Sequence, residues 1–174
     1  QCGKTFRMKG YSRGLWRQYA LRTLAFDPWL RERTAEPWGK HAWVTDNFEL
    51  WKRVVSQTED AAAIWDEATT HGGDDDGNIS LLTEIRHRHP VLIAAGHSHS
   101  SLMRGMRVNL THLDLALSDD IDAMLWARTM KDPELKRASD AALLPKYAFM
   151  RKRPYAPVTV VRDSAERVRA GLLP

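Results

Sequence analysis

With one cysteine, Cys2, in 174 residues, the chain has no means of forming an internal disulfide or a thiolate-built zinc site. Such cysteine usage agrees with a reducing compartment. Long apolar runs are also missing. The longest extends over the six residues from Val91 to Gly96, far below the roughly 20 needed to cross a bilayer, so no membrane span is expected. Residues 1–26 lack acids altogether while holding Lys4, Arg7, Lys9, Arg13, Arg17 and Arg22. At the other end, residues 146–174 carry seven basic side chains against Asp163 and Glu166, so the body between them is net acidic although the whole chain is +4. An acid-free, arginine-bearing amino end that starts with Gln resembles the remainder of a cleaved import sequence, and a mitochondrial matrix location is expected from it.

Asparagine is nearly absent too, and its placing is regular: Asn47, Asn78 and Asn109 lie 31 residues apart. After each, offsets +1, +4 and +7 are apolar, as Phe48, Trp51 and Val54, then Ile79, Leu82 and Ile85, then Leu110, Leu113 and Ala116. That is the stripe of an amphipathic helix, and asparagine is a strong acceptor for the free N–H groups of a first turn. At +11 stand Thr58, His89 and Asp120, followed by acids or proline suited to a second helix start. Gly72, Gly105 and Pro133 close the units. The pattern predicts an all-α protein, a short α-solenoid of stacked helix-turn-helix hairpins over 47–73, 78–105 and 109–133. In this reading Asn47, Asn78 and Asn109 are structural helix caps within a single domain spanning 1–174.

Around the array, Ser12–Phe26 reads as a further helix, as does the stretch from Asp132 to Leu144. Prolines 145, 154 and 157 break the chain into an extended basic arm over 145–174, in which Val158–Val161 is a short strand or an ordered arm and Asp163–Leu172 a capping helix. The glycine-rich 72–77 stretch is a loop.

Chemical readings centre on PVLIAAGHSHSS, residues 90–101. A nucleophile elbow at Ser98 needs glycine two residues before and two after; Gly96 meets the first requirement and Ser100 fails the second. It also needs a doubly wound sheet with several buried strands, for which the sequence offers one candidate. Histidines two apart on a helix point about 200° from each other, so neither His87 with His89 nor His97 with His99 closes on one ion. Asp74–Asp76 lacks the ligand spacing of a calcium loop. No catalytic, cofactor-binding or metal-binding residue is expected, and no small-molecule substrate.

Two segments are candidates for a protein interface. Residues 27–46 carry Trp29, Trp38 and Trp43 in a proline-broken stretch, and tryptophan dominates binding hot spots; alternatively the rings fold back over the first hairpin. Arg151, Lys152 and Arg153 form either an interface arm or a solvated charge run.

The second-helix segments Asp60–Ala68 and Asp122–Met130 resemble those of the tetratricopeptide and pentatricopeptide repeat families, although the 31-residue unit is shorter than theirs. A short degenerate array with a processed basic end is similar to the small helical-repeat subunit on the catalytic head of the euglenozoan mitochondrial ATP synthase. That resemblance implies a noncatalytic structural subunit, docked on protein subunits of a large complex, with no nucleotide site of its own, and no G-x-x-x-x-G-K-[ST] loop is read in the sequence. The alternative is an RNA-associated protein such as a mitochondrial ribosome component; Glu49, Glu84 and Asp114, near the first helices, would repel phosphate.

Overall fold

The computed structural model describes residues 3–32, 37–68, 76–100, 102–115, 119–136, 148–153, 156–162 and 164–171. Helix α1 runs over Lys4–Tyr19 and is followed by strands β1 (Thr23–Phe26) and β2 (Ala42–Thr45), helix α2 (Phe48–Gln57) and strand β3 (Ala62–Trp65). Then come α3 (Asp76–Arg88), β4 (Val91–Ala94), α4 (Arg104–Val108), β5 (Leu113–Leu115), α5 (Asp120–Thr129), β6 (Ala148–Lys152), β7 (Thr159–Arg162) and α6 (Ala165–Arg169). The architecture is α/β, and the expected all-α solenoid is wrong.

Four strands form a parallel sheet in the order β2-β1-β3-β4, and an antiparallel sheet joins β5, β6 and β7. In the parallel sheet Thr23 is level with Ala42 and Ala62, and Ala62 with Val91, so Phe26, Thr45, Trp65 and Ala94 end along one edge. These strands read TLAF, AWVT, AAIW and VLIA. A parallel strand covered on both faces is a continuous apolar run without alternation, and four apolar residues suit a buried helix turn equally well. This ambiguity is why the helices expected after Thr58 and His89 are strands, whereas those expected after Asn78 and at Asp120 form as α3 and α5. Residues expected to start second helices at Thr58 and His89 instead lead into β3 and β4, and the segment after Asn109 forms β5.

Both faces of the sheet are covered. On one, Leu24, Phe26, Ala63 and Trp65 pack against Trp51 and Val55 of α2, Leu81, Leu82 and Ile85 of α3, and Met106 of α4. Phe48, Trp51 and Trp65 interlock there, with ring centroids 4.9 Å apart for Phe48–Trp65 and 5.4 Å for Trp51–Trp65. Trp51 Nε1 donates to the Leu24 carbonyl at 3.1 Å, whereas Nε1 of the equally buried Trp65 has no hydrogen-bond partner among the described residues. On the other face, Ala25 and Ile64 meet Met8 of α1 and Trp38. A third cluster, built from Leu113, Leu115, Trp126, Leu135 and Met150, joins α5 to the antiparallel sheet.

The three asparagines have three different settings. Asn47 precedes α2 and accepts from the Leu50 N–H at 3.0 Å. Asn78 is buried within α3, past its first residues. Asn109 follows α4, donating to the Gly105 carbonyl and accepting from Arg86. Their even spacing therefore carries no structural repeat. The helix expected over Ser12–Phe26 is also two elements: α1 ends at Tyr19, Ala20 turns in the left-handed region with φ 53°, and β1 follows. The loop expected at 72–77 and the helix expected to reach Leu144 fall largely outside the described residues. Among the described residues, no helix is long and apolar enough to cross a membrane.

Candidate functional site at the amino end of the first helix

In open α/β sheets, ligands collect beyond the carboxyl ends of the strands. Here that edge brings together side chains from three segments. Gly3, with φ 69°, stands immediately before α1, a backbone setting that glycine adopts without strain. Lys4 and Thr5 open the helix, so both sit at its positive end. Asp66 and Glu67 follow β3 directly, and Gly96 and His97 lie just past β4.

The Thr5 hydroxyl donates to Asp66 Oδ2, and the other Asp66 oxygen accepts from the Glu67 N–H at 3.0 Å. Asp66 is fully buried, and its own N–H is held by the Phe26 carbonyl at 3.1 Å. Glu67 occupies the left-handed region at φ 53°, a conformation that costs a non-glycine residue of order 1–3 kcal/mol and is retained chiefly where surroundings impose it. Those surroundings are the Ala68 N–H bonded to the Ala95 carbonyl at 2.7 Å and the Ala95 N–H bonded to the Trp65 carbonyl.

The Glu67 carboxylate is bracketed by two bases. Its Oε1 lies 3.8 Å from Lys4 Nζ and its Oε2 lies 2.6 Å from His97 Nε2. Lys4 Nζ also donates to the Gly96 carbonyl at 3.3 Å. The site thus holds an ammonium and a helix amino end for an anion, and beside them a hydroxyl and a buried carboxylate of the kind that magnesium takes. Magnesium is bound by one or two protein oxygens with substrate phosphates and water, not by an all-protein cage. Thr5 and Asp66 fit that requirement. Among the described residues no group of three or more His, Cys, Asp or Glu side chains gathers around a point.

The residues singled out from sequence lie elsewhere. Trp38 is buried and donates to Asp27 Oδ2 at 2.9 Å, next to Lys9, whose ammonium sits 5.6 Å from the Trp38 ring centre. Trp29 and Trp43 are partly exposed, on the turn after β1 and on the sheet-edge strand β2. Arg151 and Lys152 are buried in ion pairs with Asp114 and Asp132, and Arg153 is exposed. Ser98 lies four residues past the end of β4, and the next helix begins only at Arg104, so the tight strand-to-helix turn of an elbow is not formed there. The histidines separate. His87 is exposed, and His89 is buried between the Ala61 N–H and the Val55 carbonyl. His99 packs edge-on against Trp126 with Nε2 on Thr129, and burial lowers its pKa, with Arg107 adding to the effect. Only His97 reaches the site.

Sequence reading missed Lys4, Thr5, Asp66 and Glu67, although two signals were present. Gly3-Lys4-Thr5 matches the last three positions of G-x-x-x-x-G-K-[ST]. Ala61-Ala-Ala-Ile-Trp-Asp66-Glu67 is an apolar strand ending in two acids, the arrangement that puts carboxylates at a sheet's carboxyl edge.

No protein-family model matches the chain, and no curated protein matches it. Solved structures do. The genome packaging NTPase B204 from Sulfolobus turreted icosahedral virus 2, in complex with sulfate, superposes with a TM-score of 0.70 at 14% identity, covering 92% of this chain and 90% of that chain. The same protein in complex with AMPPCP gives a TM-score of 0.66 at 13% identity, covering 92% and 91%. In complex with ATP-gammaS it gives 0.63 at 14%, again covering 92% and 91%. These likenesses overturn the helical-repeat resemblance, and with it the place on an ATP synthase head and the RNA-associated alternative. The noncatalytic reading is corrected as well, since these neighbours are structures of an NTPase, two of them in complex with AMPPCP and ATP-gammaS. In fold, the chain is similar to a viral packaging NTPase: a parallel sheet between helices, with an antiparallel sheet beside it.

Proposed function

We propose that the chain binds and hydrolyses a nucleoside triphosphate at the amino end of α1. The observation that carries this reading is the meeting of the Thr5 hydroxyl with Asp66 beside the Lys4–Glu67 pair. Lys4 and the amino end of α1 bind the phosphate chain, the dipole of α1 adding to the ammonium charge. Thr5 and Asp66 hold magnesium, which would neutralise charge on the phosphates when bound. Glu67 orients the attacking water and accepts its proton, and the strained backbone at Glu67 keeps its carboxylate at the sheet edge. The likeness to nucleotide-bound structures supports the same assignment.

The test is magnesium-dependent phosphate release from ATP by the full chain, compared with Lys4→Ala. Turnover that vanishes in the variant is expected. Wild-type protein that neither binds nor cleaves ATP, or turnover indifferent to Lys4, would reject the proposal.

The neighbours are named for packaging a genome, and we extend the reading to nucleic acid as the load moved by hydrolysis. Arg53, Arg86, Arg104, Arg153 and Arg167 are exposed, and phosphate contacts by such cations make binding steeply salt-dependent. Turnover stimulated by duplex DNA and lost at raised salt is expected; turnover unaffected by DNA would remove this extension alone.

A further inference from the structure

The hydrolysis reading leaves His97 without a task, yet it makes the shortest contact to Glu67. Nε2 lies 2.6 Å from Oε2, a distance that requires a proton between them, and an ionised carboxylate has none to give. Nε2–H is therefore the donor. Lys4 Nζ is 3.0 Å from Nδ1 and 3.3 Å from Nε2. With Nε2 donating to Glu67, the unprotonated Nδ1 accepts from the Lys4 ammonium at 3.0 Å, so the two ring nitrogens hold different partners.

From this geometry we propose that His97 is a positioning residue for Glu67, acting on hydrolysis and not on nucleotide binding; the inference rests on the triphosphatase reading above. The imidazole occupies Oε2, so the carboxylate cannot rotate and Oε1 is the oxygen left facing Lys4, on the side where the phosphates lie. Without the ring, both Glu67 oxygens compete for the Lys4 ammonium, drawing the base onto the phosphate-binding group and away from water. The groups facing His97 are Lys4 from α1, Glu67 from the end of β3 and the Gly96 carbonyl on its own segment. Its side chain is 65% exposed, so replacing it removes little packing.

The experiment measures ATP turnover by the full chain for wild type, His97→Ala, His97→Gln and Lys4→Ala, with melting temperatures alongside. Gln keeps an N–H donor at a similar reach. In His97→Ala, kcat is expected to fall by about tenfold or more, the usual range for losing an orienting partner, with KM within about twofold, and Gln restores much of the loss. Unchanged kcat in His97→Ala, or a loss that Gln does not repair, overturns the proposal. Wild-type turnover that does not depend on Lys4 sinks the triphosphatase reading itself. Even then, nitrogen-15 spectra of the imidazole decide the contact separately: the Nε2–H signal moves in Glu67→Gln if the hydrogen bond exists and stays fixed if it does not.

Discussion

Arg151 clasps Asp114 with two parallel hydrogen bonds, Nε to Oδ1 and Nη2 to Oδ2, each 2.8 Å long, and the Tyr11 hydroxyl completes the group by donating to Asp114. The forked pair lies largely out of solvent, where removing one partner strands a charge. Asp114→Ala is expected to destabilise the fold by about 3 kcal/mol, measured by urea unfolding. Asp114→Leu combined with Arg151→Met should recover most of that loss, and failure to recover it would show that the pair does more than satisfy itself.

Tyr11 ties this pair to α1, and its titration should be visible at high pH. Burial raises the phenol pKa well above its ordinary value near 10, and the Asp114 carboxylate raises it further. The folded state therefore keeps the proton where the unfolded chain releases it. Stability is full below pH 10 and declines as pH rises beyond it. Tyr11→Phe should flatten that decline in denaturant midpoints measured between pH 9 and pH 11; an identical slope in both proteins would refute the assignment.

Gly14 and Gly171 let α1 and the residues after α6 approach closely. A Cβ at Gly14 would fall 2.9 Å from the Gly171 carbonyl oxygen, and backbone cannot step aside as a long side chain can. Gly14→Ala should therefore cost about 1–3 kcal/mol, in the range for overpacking, despite the better helix propensity of alanine. A variant melting at or above the wild-type temperature would contradict the contact.

The two carboxylates at the end of β3 should fail differently. Glu67→Gln is expected to lower kcat by about 100-fold or more while leaving ATP affinity near wild type. Asp66→Asn and Thr5→Ala should raise the magnesium concentration needed for half-maximal turnover. Isothermal titration paired with magnesium-dependent kinetics separates the two, and equal loss of affinity in all three variants would dissolve the distinction between metal holder and base.

Local starts and stops were legible where a side chain declares itself. Asn47 precedes an amphipathic α2 as expected, α5 starts at the expected Asp120 although its cap is Asp119, and α6 lies within the expected Asp163–Leu172 helix with Ser164 as its cap. Strand β7 also overlaps the run that read as a strand or an arm. The central sheet was hidden because AAIW and VLIA carry no period of two, being covered on both faces, and because residues at helical offsets continued through them. The site was hidden for a related reason. Lys4 and Thr5 are 61 residues or more from Asp66 and Glu67 along the chain, and only the level ends of neighbouring strands bring them within reach. Read as helix, Trp65-Asp66-Glu67 is an ordinary amphipathic turn; read as the end of a buried strand, it places two acids at the one edge where ligands bind.

Helix α1, 16 residues long and so about 24 Å from end to end, is held along its whole length, at its start by Thr5 on Asp66, at its middle by Tyr11 on Asp114 and near its end by Gly14 on Gly171. A stiff rod pinned in this way cannot tilt at its tip without swinging its tail. A displacement imposed at Lys4 would therefore be passed along the rod to the antiparallel strands and the closing helix.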